Sequence, residues 1–192
     1  MLGNLRRPSP TTIALLVLLV ALSGTAVASG TEEAVGANCV KPLDLLSAFQ
    51  DLSNCNLKGV TIDGNVPVPG SNPLYGSNLS GANLNGATIE GGYKPLQFAN
   101  LSGSNLNGAT LGGGPNELAV LQSANLSGAN LNGAIISGFR PLQATNLSGA
   151  NLRGASVTGI DPLLEALYSN TTCPDGTNSD NDGGTCVGHG VP

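Results

Sequence analysis

Four cysteines, one histidine and a cluster of acidic residues near the C-terminus are the side chains with the most chemistry to offer in this 192-residue chain. Cys39 and Cys55 stand at the start of a repetitive region, and Cys173 and Cys186 stand after it. None lies in a C-x-x-C pair and the only histidine is His189, so the spacing does not suit a metal–thiolate site. In an oxidising compartment an even count reads as disulfides. Four cysteines allow three connectivities. Proximity along the chain favours Cys39–Cys55 with Cys173–Cys186, and each closed loop should stabilise by roughly 3 kcal/mol.

Within the second loop, Asn178-x-Asp180-x-Asp182-Gly183 is similar to the opening of an EF-hand, where alternate oxygen-bearing side chains turn toward one calcium ion. The pattern departs at its end, because His189 stands where a bidentate Glu should close the shell. Calcium on Asn178, Asp180 and Asp182 is therefore a secondary expectation beside a disulfide-closed polar loop. No other cofactor is implied.

Oxidation of the cysteines requires export, and the N-terminus supplies a signal for it. Arg6 and Arg7 precede an apolar run from Ile13 to Leu22, followed by Ala26-Val27-Ala28. That order is the charged region, apolar region and small-residue cleavage site of a secretory signal. The apolar run is short of the ~20 residues that a membrane span needs. The expectation is cleavage near Ala28 and a mature protein that is secreted, periplasmic or lumenal, with no membrane span.

Charge narrows the function further. The net formal charge of −5 is carried by the ends of the chain. From Ser47 to Gly159, Asp51, Asp63, Glu90 and Glu117 balance Lys58, Lys94, Arg140 and Arg153. No basic patch serves nucleic acid. A lone terminal histidine, no phosphate-cradling glycine loop and no cleft of paired carboxylates argue against an enzyme.

The elements that must position these residues follow a rhythm of five. A Leu or Ile recurs at every fifth position, with a small residue two before it and Gly two after, as in Ala82-Asn-Leu-Asn-Gly86. Five matches neither the 3.6 of a helix nor the 2 of a long strand. Residues two apart share a face of an extended segment, and the Gly makes a corner. A longer period is superimposed. Leu74, Leu96, Leu121 and Leu142 open blocks 22, 25 and 21 residues apart, and the extra residues fall just before each opening Leu. A four-sided coil with its inserts at one corner has this property. Stacked coils align Leu52, Leu79, Leu101, Leu126 and Leu147 on one inner side. Leu57, Leu84, Leu106, Leu131 and Leu152 form the next, and Ile62, Ile89, Leu111, Ile136 and Val157 the third. The opening leucines form the fourth. Cys55 falls at a small inward position, within reach of Cys39.

These Ala-Asn-Leu-Ser-Gly and Ala-Asn-Leu-Asn-Gly units resemble the pentapeptide-repeat family, over Asp51 to Gly159. The resemblance implies an all-β solenoid, a right-handed quadrilateral parallel β-helix, here of about five coils. It implies no catalytic residues. The expected organisation is a signal peptide (1–28), a linker with a capping helix (29–50), the β-helix (51–159), a second capping helix (160–170) and a polar tail (171–192). Leu43, Leu46 and Phe49 suggest the first cap, and Asp161-Pro162 the start of the second.

Outward positions stack Asn and Ser in columns, such as Asn78, Asn100, Asn125 and Asn146 beside Ser80, Ser102, Ser127 and Ser148. Such ladders satisfy themselves and the backbone, or they present a regular array to ice or a glycan. The DNA-mimicking members of the family, which shield topoisomerases, would be expected to carry acidic columns instead. Tyr93, Lys94, Glu117, Phe139 and Arg140 gather at the insert-bearing corner, where the repeat breaks. Loops carry function more often than scaffold does. The expectation is an exported, non-catalytic scaffold that docks an unidentified protein partner at that corner.

Overall fold

The computed structural model describes residue 39 and residues 48–63, 74–91, 94–112 and 120–191. The expected signal peptide, most of the expected N-terminal cap, and Tyr93 and Glu117 lie outside these residues. No described helix is long and apolar enough to cross a membrane.

Five short strands, β1 (Thr61–Asp63), β2 (Thr88–Glu90), β3 (Thr110–Leu111), β4 (Ile135–Ile136) and β5 (Ser156–Val157), form one parallel sheet in chain order. Their registers are in phase, with Ile62 opposite Ile89, Ile89 opposite Leu111, Leu111 opposite Ile136 and Ile136 opposite Val157. Two further sides consist of isolated parallel bridges. One runs Asp51, Asn78, Asn100, Asn125, Asn146, Leu167, and the other Asn56, Asn83, Asn105, Asn130, Asn151, Thr172. The fourth side is tied by amides of the opening leucines, as from Leu74 to Pro95 O and from Leu121 to Pro141 O. The chain is thus a parallel solenoid with four sides.

All four expected leucine and isoleucine columns point inward and are buried. In the first three columns the inward partner two positions earlier is most often Ala. Polar residues at that position bond to backbone: Ser104 Oγ donates to Leu101 O at 2.8 Å, Thr145 Oγ1 to Leu121 O at 2.9 Å and Thr171 Oγ1 to Leu147 O at 2.7 Å. A buried hydroxyl is tolerated because the nearby carbonyl removes its desolvation penalty.

The two expected caps differ from expectation where they are described. Residues 160–170 hold turns and bridges in place of a helix. Asp161-Pro162-Leu163 repeats Arg140-Pro141-Leu142 one coil on, with Leu142 N donating to Pro162 O and Leu147 N to Leu167 O. Leu163 is buried beneath Leu142 in the fourth column, and Cys173 ends the column of Leu152. The segment continues the solenoid. A proline at the first turn of a helix and a proline before a corner look alike in sequence, because both need φ near −65° and no donor. At the other end Phe49 has φ 62° and donates its amide to Tyr75 O, so it belongs to the first coil and not to a helix.

Candidate functional site: the insert-bearing corner

Side chains on the fourth side, beside the insert-bearing corner, form two ladders. Phe49, Tyr75 and Phe98 stack edge to face, with ring centroids 5.4 Å and 5.5 Å apart. Such pairs match the positive rim of one ring to the negative face of the next. Phe49 is 74% exposed and Phe98 52%, so much of this aromatic surface faces solvent. Beside it Gln97 Nε2 donates to Gln122 Oε1 at 2.9 Å, and Gln122 Nε2 to Gln143 Oε1 at 3.1 Å. Lys94 donates its ammonium to the same Gln122 oxygen.

Further along the corner, Arg140 lies over the Phe139 ring at 5.0 Å and pairs with Asp161 Oδ2 at 3.3 Å. Arg140 and Asp161 both hold positive φ, 49° and 45°, in a region that side chains seldom adopt. The pair straddles adjacent coils and is exposed, so its contribution to stability is small, about 0–1 kcal/mol. Of the five expected contact residues, Lys94, Phe139 and Arg140 are placed on this corner. Gln97, Gln122 and Gln143 are not among the expected contact residues, and Phe49 is assigned to the first cap. The signal for the amides was available, since Gln97, Gln122 and Gln143 each follow an opening Leu.

The other sides differ in kind. Asn78 Nδ2 donates to Asp51, Asn100 to Asn78, Asn125 to Asn100 and Asn146 to Asn125, at 3.1–3.3 Å. Each Asn Oδ1 in that column also accepts the amide two residues on, as from Ser80 to Asn78 and Ser127 to Asn125. The Asn56 to Asn151 column repeats the arrangement. Ser53 holds the Asp51 carboxyl at the head of the first column below the usual carboxylate range. These amides are engaged with one another and with backbone, which leaves little of their capacity for a ligand.

The cysteines pair as expected, Cys39 with Cys55 and Cys173 with Cys186. Both members of the second pair are fully buried, and the tail folds back over the last coil. Cys173 N donates to Thr177 O, Thr171 N to Ser179 Oγ at 3.1 Å and Asn170 N to Asp180 Oδ1 at 2.7 Å. The tail therefore caps part of the solenoid end. Its carboxylates face different neighbours. Asn178 Oδ1 accepts Asp180 N at 2.9 Å, while Asp182 Oδ2 lies 3.9 Å from His189 Nδ1. Asp175 meets the same His189 nitrogen at 3.2 Å. The amide and hydroxyl of Thr177, followed by His189, hold Asp175 below the usual carboxylate range. Among the described residues no three His, Cys, Asp or Glu side chains gather as metal ligands.

Four stacked sides, an aliphatic interior, hydrogen-bonded outer columns and one irregular corner define a scaffold of the solenoid class. The family model for pentapeptide repeats matches in eight copies, with residues 116–138 matched. The chain carries pentapeptide repeats. Among curated proteins no match was found. Similar solved structures include HetL from the cyanobacterium Nostoc sp. strain PCC 7120, a pentapeptide-repeat protein involved in heterocyst differentiation regulation. It is 28% identical, with 67% of this chain and 51% of that one covered and a TM-score of 0.33. Rfr23 from the cyanobacterium Cyanothece 51142 is 29% identical over 50% of this chain and 52% of its own, with a TM-score of 0.26. A pentapeptide-repeat protein of the Arabidopsis thaliana thylakoid lumen is 27% identical over 59% and 63%, with a TM-score of 0.26. The chain thus spans between about half and two thirds of the length of these neighbours.

Proposed function

We propose that this protein is an exported, non-catalytic scaffold, a right-handed quadrilateral β-helix whose insert-bearing corner docks a protein partner. The observation that carries the reading is the contrast between sides. The Asn columns use their polar groups internally, while the corner and the fourth side next to it expose Phe49 and Phe98 beside an amide ladder and the Phe139–Arg140 pair. Interfaces are enriched in aromatic residues and Arg for this reason: they offer large area, with a polar or charged edge. Export is supported by the two disulfides and by the signal-like first 28 residues. The test is co-purification from the native compartment with Phe98, Phe139 and Arg140 all replaced by Ser. A partner retained by the wild type and lost by this variant supports the reading. Unchanged recovery of every partner refutes it.

A second reading, a surface-array binder, keeps one observation in its favour. Ser53, Ser80, Ser102, Ser127, Ser148 and Ser169 occupy equivalent outward positions, one per coil. Thermal hysteresis in the mature protein would support an ice-binding array, and its absence would remove it.

A further inference from the structure

We propose that the C-terminal end of the solenoid receives one extended peptide strand, with an apolar side chain flanked by basic residues. The inference goes beyond partner docking along the insert-bearing corner and stands without it. It begins with the hydrogen bonds between coils. In the penultimate coil Arg140, Leu142, Ala144 and Leu147 donate their amides forward to Ile160, Pro162, Leu164 and Leu167. One coil on, the equivalent donors are Asp161, Leu163, Glu165 and Tyr168. Among the described residues none of these four amides has a backbone or side-chain acceptor. The Ala166 carbonyl, equivalent to the Thr145 carbonyl that accepts Leu167 N, is likewise unmatched. The next two positions show how such an edge is closed, because Asn170 N and Thr171 N are taken by Asp180 and Ser179 of the tail. The tail thus caps the end from Asn170 onward and leaves the preceding stretch as an open parallel edge. Open edges pair with extended chains.

Three more features select the occupant. A groove lined by Asp161, Pro162, Leu163, Leu164 and Val187 runs beside the open amides. Val187 in its wall is 54% exposed, and Ile160 and Leu167 of the same coil are 62% and 61% exposed, so an apolar side chain has a surface to cover. The surrounding charge is acidic: Asp161, Glu165, Asp175, Asp180 and Asp182 stand against Arg140 and Arg153 at this end. Two such ends repel each other, which disfavours a second copy, whereas a basic strand is drawn in. The strand adds main-chain carbonyls to the amides of Leu163 and Glu165, which lie on one side of the coil, lays one apolar side chain against Leu164 and Val187, and sets Lys or Arg beside Glu165.

The experiment uses the mature, disulfide-bonded protein and two synthetic peptides, one alternating Lys and Val and one alternating Glu and Val. Amide hydrogen exchange is followed by NMR, and affinity by fluorescence anisotropy. The Lys-Val peptide should slow exchange at Leu163 and Glu165 by roughly tenfold or more at saturation. It should also lose affinity as salt rises, and the Glu-Val peptide should do neither. Val187→Glu, a surface change that does not touch the core, should weaken binding, and Glu165→Lys should weaken it and reduce the discrimination between the peptides. Phe98→Ser should leave it unchanged, which separates this site from the corner. Unaltered exchange at both amides overturns the proposal. Protection of the same amides that grows with protein concentration and needs no peptide also overturns it, because a second copy would then hold the edge.

Discussion

Replacing Gly112 and Gly108 by Ala, one at a time, should have unequal consequences that depend on how closely neighbouring coils approach. Both glycines hold positive φ, +87° and +64°, and they are separated by less than one pentapeptide. A side chain in this backbone region costs about 1–2 kcal/mol. That cost is common to both substitutions. The surroundings are not. A Cβ on Gly108 meets no atom within 4 Å, whereas one on Gly112 would lie 2.2 Å from the Ser137 carbonyl oxygen of the next coil. The oxygen is backbone and cannot swing aside, so the coils must separate where Ser137 N donates to Leu111 O. Losing one inter-coil hydrogen bond and its packing adds about 1–3 kcal/mol. The expected losses are therefore ~1–2 kcal/mol for Gly108→Ala and ~2–5 kcal/mol for Gly112→Ala. Urea unfolding of the mature protein, followed by far-ultraviolet circular dichroism with disulfides intact, measures both. Equal midpoints for the two variants would refute the coil spacing from which the difference is drawn.

The remaining predictions concern the tail and the outer columns. Burial pushes the Tyr168 hydroxyl up to about 12, against a smaller opposing pull from Thr185. The folded protein keeps this proton where the unfolded chain has lost it, so the stabilisation is complete below pH 10 and declines as pH rises toward 12. Absorbance titration should show one late tyrosine, and Tyr168→Phe should remove it. Replacing Cys173 and Cys186 together by Ser should cost about 3 kcal/mol, with hydrogen exchange rising at Asn170, Thr171 and Cys173 first, since the tail supplies their acceptors. Asn100→Ala should cost ~1–2 kcal/mol, because it leaves Ser102 N and Asn125 Nδ2 without their acceptor. Arg140→Ala should cost under about 1 kcal/mol, as its pairing with Asp161 is solvent-exposed.

The interior was readable because the five-residue rhythm ties side-chain direction to position without reference to distant contacts. Leu79, Leu84, Ile89 and Leu96 each announce a side of the coil, and all four are fully buried. The pairing of Cys39 with Cys55 was readable for the same reason, since Cys55 replaces an inward Ala. The continuation past Gly159 was not. Leu167 occupies an outward position that Asn fills in earlier coils, and Tyr168 stands where Leu is expected, so the pattern dissolves while the backbone pairing of Leu167 with Asn146 persists. Main-chain hydrogen bonds carry no residue signature, and tertiary pairing overrode the local helical spacing. The corner was legible as a place and only partly as a surface. Phe49 was absorbed into the expected cap, and its contact with Tyr75 depends on a register between coils that inserts of varying length obscure.

The division between inert sides and a binding corner can be measured with a photo-reactive side chain placed at position 98 or at position 127 of the mature protein. Irradiation in the native compartment should join a partner to the residue at position 98, on the exposed aromatic ladder, and none to position 127, on the Ser and Asn side. Crosslinks from position 127 with none from position 98 would contradict the account.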